Sequence, residues 1–511
     1  MSRIAWVAAW AFAFLLLSGF WTYGLFDLDE GIYAAALREM LERGDWVAIS
    51  YRGEPFFEKP ILIYWSAMLF LKAGVPDVLA LRLGPVLATA GTLLITTAFA
   101  RRRFGDEVGL WSLLILACSP LLVLVGRMFQ PDAMLLFFLT AALVSFWEAV
   151  QGNGRWLWAG GAALGFAVLA KGPVALALFL PVAAYALIRL RAPTRPSALD
   201  WAGATVLFLL VVGSWYVPVL VLKGGDFFRE FIVEQNLLRF AGGDTAHLGP
   251  FWFYVPVLLA ALAPFAFAVV GAVRHVRKEP VEAFLWAWAV VVFLLFSAAG
   301  SKLPHYILPL LPPLAVLLAV YGVRHRAAIR FWSGAYGLVA GAGLLLAAWN
   351  GVEPGGALYA VGGAAVGGGA LSLALGATGR SFLAQGLAAA APLAAAVALI
   401  GVPLYWTQTH WDVRRVARDA AAEPLPVVEY RMSGMGRRML TSHPSIQWYA
   451  GRSTEPAVWL DDLARRLETP FQVVSRRGRL GPDEVRILRG LGLKLELVSE
   501  RGEFSLYVAR R

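Results

Sequence analysis

The sequence is short of charge and of cysteine. Charged side chains make up 15% of its 511 residues, whereas soluble globular domains carry roughly 25%. Hydrophobic residues make up 59% and the mean hydropathy is +0.64. This composition excludes a soluble globular protein and indicates a polytopic helical membrane protein. The one cysteine, Cys118, excludes a disulfide within a single chain.

Motifs of several common sites are also missing. The chain has no CxxC or HExxH metal motif, no phosphate-binding loop and no internal repeat. The sequence therefore indicates no certain cofactor, and it leaves a divalent metal ion open. A net charge of +11 would suggest nucleic acid for a soluble chain, but most Arg and Lys lie in short loops or in the tail. That pattern sets membrane orientation, so we expect no nucleic-acid partner.

Thirteen segments are candidates to cross a bilayer, which takes about 20 apolar residues as helix. They are residues 4–26, 78–100, 108–125, 131–150, 156–170, 173–190, 201–222, 252–273, 281–298, 304–321, 331–349, 357–375 and 382–406. The first has no small-residue cleavage site before Asp27, so we interpret it as an uncleaved anchor. With the N-terminus in the cytoplasm, every basic cluster between spans falls on the cytoplasmic side.

This orientation predicts two domains. Residues 1–407 form the transmembrane domain, with extracytoplasmic loops at 27–77 and 223–251, and residues 408–511 lie outside the cytoplasm. Amphipathic patterns predict helices on the membrane surface at 29–44, 56–71 and 227–240. In the tail, β-like runs at 426–430, 471–475, 493–499 and 504–508 accompany helical patterns at 460–467 and 482–491. A small α/β domain is therefore expected there.

The ionisable residues of the apolar part gather on one side. The predicted topology places the following outside the cytoplasm, at or beside the ends of spans: Asp29, Glu30, Glu58, Lys59, Asp132, Lys171, Arg239 and Lys302. Such groups are costly to desolvate and are scattered unless a ligand collects them. A carboxylate can act as a base, and Lys and Arg can neutralise a phosphate. Lys302, His305 and Tyr306 add a cation, an imidazole and a phenol at the start of the tenth span. Such a pocket suits a sugar and a lipid phosphate.

Several of these residues lie in short sequence runs whose order along the chain matches that of a known protein family. The runs Leu28-Asp29-Glu30-Gly31-Ile32-Tyr33 and Phe57-Glu58-Lys59-Pro60 resemble the first outer loop of the bacterial aminoarabinose (lipid A) transferases. That family belongs with the protein O-mannosyltransferases among the membrane glycosyltransferases of the GT-C fold. Further matches in family order are Asp132, Lys171-Gly172, Glu234, Arg239-Phe240, residues 250–256, and Lys302-Leu303-Pro304 with Tyr306. The chain departs from the aminoarabinose enzymes where Gly31-Ile32 replaces a Thr-Arg pair, and where Asp132 follows a proline instead of preceding one.

The resemblance implies a GT-C fold and transfer of a sugar from undecaprenyl phosphate, with inversion, on the periplasmic face of the bacterial inner membrane. It implies that Asp29 is the central catalytic carboxylate and that Asp132 and Glu58 help to hold sugar or acceptor. Lys59, Arg239 and Tyr306, with Lys302 beside them, would bind the lipid phosphate. The acceptor would be lipid A or another envelope glycan, and a protein acceptor is the alternative.

Two other classes of protein compete with an enzyme. A polyprenyl-lipid transporter should show inverted repeats and charges near the middle of its spans, whereas the charges here lie at span ends. A receptor would bind through its tail and would need no carboxylates at the lipid edge. It should therefore tolerate substitution of Asp29.

Overall fold

The computed structural model describes residues 3–27, 29–189, 196–238, 248–275, 279–352, 355–377, 382–432, 443–466 and 470–511. Its α-helices are α1 (Arg3–Leu17), α2 (Asp29–Arg43), α3 (Leu62–Lys72), α4 (Asp77–Phe104), α5 (Asp106–Ala117), α6 (Pro120–Val125), α7 (Asp132–Val150), α8 (Trp156–Lys171), α9 (Val174–Arg189), α10 (Ala198–Phe227), α11 (Tyr254–Ala261), α12 (Ala268–Arg274), α13 (Pro280–Ala298), α14 (Leu311–Arg324), α15 (Arg326–Trp349), α16 (Gly355–Ala377), α17 (Phe382–Ala395), α18 (Val402–Ala421), α19 (Ser445–Tyr449), α20 (Leu460–Ala464) and α21 (Pro482–Gly490).

Other helical forms join some of these elements. π-Helices cover Phe228–Leu238 and Ala396–Gly401, and 3₁₀ helices cover Phe251–Phe253 and Pro304–Leu310. The strands are β1 (Ser50–Tyr51), β2 (Glu54–Pro55), β3 (Val427–Tyr430), β4 (Thr454–Ala457), β5 (Phe471–Arg476), β6 (Lys494–Arg501) and β7 (Phe504–Arg510).

The predicted fold class is confirmed. Within the described part of the chain, seven helices are long and apolar enough to cross a membrane: Asp77–Phe104, Asp132–Val150, Ala198–Asn236, Pro280–Ala298, Pro304–Arg324, Gly355–Leu375 and Leu387–Thr407. Apolar helices of 10–17 residues add Arg3–Leu17, Leu62–Lys72, Trp156–Lys171, Val174–Arg189, Phe251–Ala261 and Ser333–Trp349. The protein is thus a multi-pass helical membrane protein, and its number of spans, thirteen, stays a prediction.

Two predicted spans are interrupted, and proline accounts for one of the breaks. Residues 108–125 divide into α5 and α6, because Pro120 has no N–H to continue the ladder and Ser119 caps the new helix by accepting the Leu122 N–H at 3.3 Å. Residues 252–273 divide into α11 and α12, and Pro264 lies between the two pieces. Each piece is therefore shorter than a full span.

The chain forms two compact units, and each is described by itself. The first comprises Met1–Phe20, Glu58–Ala67 and Arg82–Leu404. In it, α7 packs on α8, α8 on α10, and α15 on α16. The glycine-rich run of α16 serves helix packing. A Cβ on Gly341 of α15 would lie 2.7 Å from the Gly362 carbonyl oxygen, so small residues let the two backbones approach closely.

The second unit comprises Trp21–Phe57, Met68–Leu81 and Tyr405–Arg511. Its five-stranded mixed sheet has the order β4-β3-β5-β7-β6; β3 is parallel to β4 and β5, and β7 is antiparallel to β5 and β6. Val428, Phe471, Val473, Leu463 and Leu488 form part of its buried core. The expected α/β region is therefore confirmed in its four predicted strands and two helices. The edge strand β4 and helix α19 were not predicted, and the division at residue 407 stays a prediction.

The outer loops hold one correction. The first predicted surface helix is α2, which Gly44 follows with φ 64°. Glu58 and Lys59 were expected on the second surface helix, but that interpretation is wrong because α3 begins only at Leu62. The two residues lie in a bend before Pro60, and proline disfavours helical backbone at the residue that precedes it. The third predicted helix takes the π form over Phe228–Leu238.

Candidate functional site

The first unit contains a cavity of about 310 Å³. Polar groups cover one part of its wall, and they belong to Glu58, Lys59, Lys171, Gln235, Asn236, Ser301 and Tyr306. Apolar groups cover the rest, and they belong to Pro173, Val174, Ala177, Leu295, Phe296 and Ala299. These residues come from the 58–60 bend, the α8–α9 junction, the π-helix, and both sides of the α13–Pro304 connection. A charged patch therefore adjoins an apolar wall within a single cavity.

Lys59 and Tyr306 were both predicted to bind the lipid phosphate, and both line this cavity. The Lys59 ammonium donates to the backbone carbonyl of Glu58 at 3.2 Å. Glu58 and Lys59, which are adjacent in the bend, both line the cavity. The Tyr306 ring stands 5.7 Å from the Phe296 ring, which belongs to the apolar wall. The third predicted phosphate ligand, Arg239, lies outside the described residues.

Asp132 lies close to this wall in a buried pair. It is the first residue of α7 and is 4% exposed. Its carboxylate accepts a hydrogen bond from the ammonium of Lys171, and His305 Nε2 lies 3.9 Å from its second oxygen. The same ammonium lies 4.2 Å from the centre of the Tyr306 ring. Lys171 therefore links a residue predicted to hold sugar with one predicted to bind phosphate.

Lys171 is the site residue to which the sequence reasoning assigned no role. Its position at the end of α8 also suits a lysine that reaches the lipid headgroups, and sequence alone does not separate these two uses. The sequence feature that could have identified Lys171 was the Lys171-Gly172 pair, which matches the aminoarabinose transferases in the same order along the chain. Gly172 ends α8 with φ 82°, a backbone conformation that favours glycine.

Lys302 is placed differently from the other predicted phosphate ligands. It is 6% exposed, and its ammonium donates to the backbone carbonyl of Ala299. The side chain therefore supports the Ala299–Ser301 connection, whose residues 299 and 301 line the cavity. The lysine itself is not among the lining residues.

Asp29 belongs to the second unit, where it is the exposed first residue of α2. The adjacent Glu30 is fully buried and accepts the Phe26 N–H at 2.9 Å. Acidic residues in the first turn of a helix are stabilised by the backbone N–H groups there. Among the described residues, no three His, Cys, Asp or Glu side chains are grouped to hold a metal ion.

Comparisons with known proteins support the predicted resemblance. The sequence model of the dolichyl-phosphate-mannose-protein mannosyltransferases matches residues 5–221. An undecaprenyl phosphate-alpha-4-amino-4-deoxy-L-arabinose arabinosyl transferase of Edwardsiella ictaluri (strain 93-146) is 34% identical over 346 residues, which cover 64% of this chain and 62% of that protein. The chain spans about three fifths of the length of the curated relatives it matches.

Solved structures match over nearly the whole chain. ArnT from Cupriavidus metallidurans, in a crystal structure bound to undecaprenyl phosphate, aligns with a TM-score of 0.79 at 20% identity, covering 99% of this chain and 97% of that one. The chain therefore has the fold of this structure, the GT-C fold. The oligosaccharyltransferase AglB from Archaeoglobus fulgidus aligns at a TM-score of 0.53 and 12% identity, covering 93% of this chain and 69% of that one. The GT-C fold predicted from the sequence motifs is thereby confirmed.

Proposed function

We propose that this GT-C protein is a membrane glycosyltransferase that moves a sugar from a polyprenyl phosphate, such as undecaprenyl phosphate, to an extracytoplasmic acceptor. The cavity of the first unit carries this proposal. Lys59, Lys171 and Tyr306 offer cations and a phenol to a phosphate, and Val174 and Leu295 offer an apolar surface to an isoprenoid chain. A phosphate joined to a hydrocarbon needs both kinds of surface at one site.

Each residue has a defined part in the proposed reaction. An acceptor hydroxyl attacks the anomeric carbon and the bond from that carbon to the phosphate oxygen breaks, with inversion. Asp29 takes the hydroxyl proton as general base. The polyprenyl phosphate leaves with the electron pair of the broken bond, and Lys59, Arg239 and Tyr306 stabilise its charge. Lys302 supports the loop beside this phosphate site.

Asp132 and Glu58 are proposed to hold the sugar or the acceptor. Asp132 is paired with Lys171, so its position is fixed before substrate binds. A preset carboxylate aligns a hydroxyl without reorganisation during the reaction.

The acceptor is proposed to be lipid A or another envelope glycan. The match of residues 5–221 to the protein mannosyltransferases favours a second candidate, a protein acceptor. The two are distinguished by incubating membranes that contain the chain with a labelled polyprenyl-phosphate sugar and separating the lipid, glycan and protein products.

The site is proposed to open on the periplasmic face of the bacterial inner membrane, with the N-terminus inside and the C-terminus outside. The distribution of basic residues supports this orientation. A reporter active only in the periplasm, fused after Arg511, should be active. A reporter fused there that works only in the cytoplasm would reverse the assignment.

The decisive experiment is to purify the protein with its bound lipid and identify that lipid by mass spectrometry. Polyprenyl phosphate should be recovered from the wild type and lost from Lys59→Ala. The matched control is Lys494→Ala, which removes an exposed lysine from β6 and should retain the lipid. Recovery of ordinary phospholipid alone from the wild type would contradict the proposal.

A further inference from the structure

In the second unit, the segment that leads into Asp29 is held by residues from the end of the chain. The Leu25 N–H donates to the Tyr449 hydroxyl at 2.6 Å, and the Leu25 carbonyl accepts from the Trp406 indole N–H at 2.9 Å. Both backbone groups of Leu25 are thus used by distant side chains. Gly31 closes the segment by donating its N–H to the Phe26 carbonyl at 3.0 Å.

Asp27, two positions before Asp29, contacts the C-terminal region through both of its carboxylate oxygens. Its side chain is 8% exposed. One carboxylate oxygen lies 2.8 Å from His443 Nδ1, and the other accepts the Ser445 N–H at 3.0 Å. The Arg476 guanidinium lies 3.3 Å from His443 Nε2. A guanidinium can only donate, so Nε2 accepts and the Nδ1–H donates to Asp27.

Gly31 makes this contact sterically feasible. A Cβ at this position would lie 2.9 Å from the Asp27 carboxylate and 2.9 Å from the Ser445 nitrogen. Any larger residue would push the first turn of α2 away from the His443–Ser445 segment.

The charge of Asp27 strengthens the contact. Burial alone would raise the pKa of this carboxyl, but the hydrogen bonds from His443 and Ser445, together with the electrostatic effect of His443 and His410, outweigh burial, and the pKa lies below the usual 3.8. The bonds to His443 and Ser445 are therefore charge-assisted, and such bonds are shorter and stronger than neutral ones.

We propose that Asp27 and His443 are positioning residues, through which the C-terminal region fixes the start of α2 and with it the Asp29 carboxylate. The proposal rests on the proposed function in one respect, that Asp29 is the catalytic carboxylate. It assigns a role to a region in which the sequence motifs indicated none. Displacing a reacting group by about 1 Å can cost about 100-fold in rate, so the pair acts on turnover and not on lipid binding.

The first test compares His443→Ala, His443→Asn and Asp27→Asn with wild type, using a polyprenyl-phosphate sugar as donor. We expect kcat to fall about 10- to 100-fold in His443→Ala, with Kd for undecaprenyl phosphate unchanged. His443→Asn should recover part of the loss, because its amide N–H can replace the Nδ1–H donor. The control is Arg477→Ala, which breaks an exposed ion pair with Glu500 on the same sheet and should leave kcat unchanged.

The second test needs no activity. Hydrogen–deuterium exchange of the peptide covering residues 24–37 should be faster in His443→Ala than in wild type and unchanged in Arg477→Ala. If exchange is faster in His443→Ala but the wild type transfers no sugar, the proposed function would be contradicted, while the role of His443 in fixing the start of α2 would be supported. Unchanged exchange, unchanged kcat, or a parallel loss of kcat and lipid affinity would each overturn the positioning role.

Discussion

The ammonium group of Lys171 lies 4.2 Å from the centre of the Tyr306 ring and also pairs with the carboxylate of Asp132. The contact with the ring face is a cation–π interaction. Because both side chains of the ion pair are at most 10% exposed, neither charge is well solvated. The position of Tyr306 in the cavity thus depends on an ion pair formed between α7 and α8.

We predict that Lys171→Met destabilises the protein strongly, since it leaves Asp132 charged and buried. Loss of one partner of a buried pair typically costs about 3–5 kcal/mol. Adding Asp132→Asn to Lys171→Met should restore part of the loss, because the orphaned charge is then removed. Thermal unfolding of the two single variants and the double variant in detergent tests this. Strictly additive losses would show that the two side chains do not act as a pair.

Lys59→Ala should weaken binding of undecaprenyl phosphate. A hydrogen bond to a charged group contributes about 1.5–3 kcal/mol, which corresponds to roughly 10- to 150-fold in Kd. Tyr306→Phe should weaken binding less, because it removes a neutral donor. The double variant should lose less than the sum of the two, since both groups line one cavity and share one ligand. Calorimetry or a lipid-displacement assay measures these constants, with Lys494→Ala as the control.

Sequence patterns predicted the elements of the fold better than the directions of side chains. The alternation in residues 471–475 and 504–508 was enough to predict β5 and β7, because strand periodicity is a local property. The Thr454–Ala457 strand was missed because Pro456 and Glu455 argue against a strand, and an edge position tolerates both.

Within the candidate site, the sequence predicted which cations matter but not where each points. Lys59 and Lys302 are both basic residues next to a proline or near one, yet one lines the cavity and the other donates to the Ala299 carbonyl. The choice depends on packing around the α13–Pro304 connection, which no local pattern encodes. The pairing of Lys171 with Asp132 similarly requires α7 and α8 to be packed together, 39 positions apart along the chain.

Asp29→Asn should separate turnover from binding. The substitution preserves shape and hydrogen-bonding groups but removes the charge that accepts a proton. Turnover should fall by about 100-fold or more if the carboxylate acts as general base, while the Kd for undecaprenyl phosphate stays within about twofold of wild type. Single-turnover measurements with a hydroxyl acceptor test this. Full activity in the variant would remove Asp29 from the catalytic role.

Asp27 should make stability depend on acid. Its pKa in the folded protein lies below the usual 3.8, because the hydrogen bonds from His443 and Ser445, together with the electrostatic effect of His443 and His410, outweigh the opposing effect of burial. A carboxyl whose pKa is lowered by folding contributes stability that is present above its unfolded pKa and is lost as the pH falls through the folded value. We therefore expect the wild type to have a higher free energy of unfolding than Asp27→Asn near neutral pH, and we expect this difference to disappear as the pH falls below about 4.

Thermal unfolding of wild type and Asp27→Asn between about pH 6 and pH 3 measures this difference. Asp483→Asn, which removes an exposed carboxylate from α21, should give a curve parallel to that of wild type. If the gap between wild type and Asp27→Asn stays constant down to pH 3, then the Asp27 charge contributes nothing to the contact with His443. The positioning role would in that case depend on shape alone.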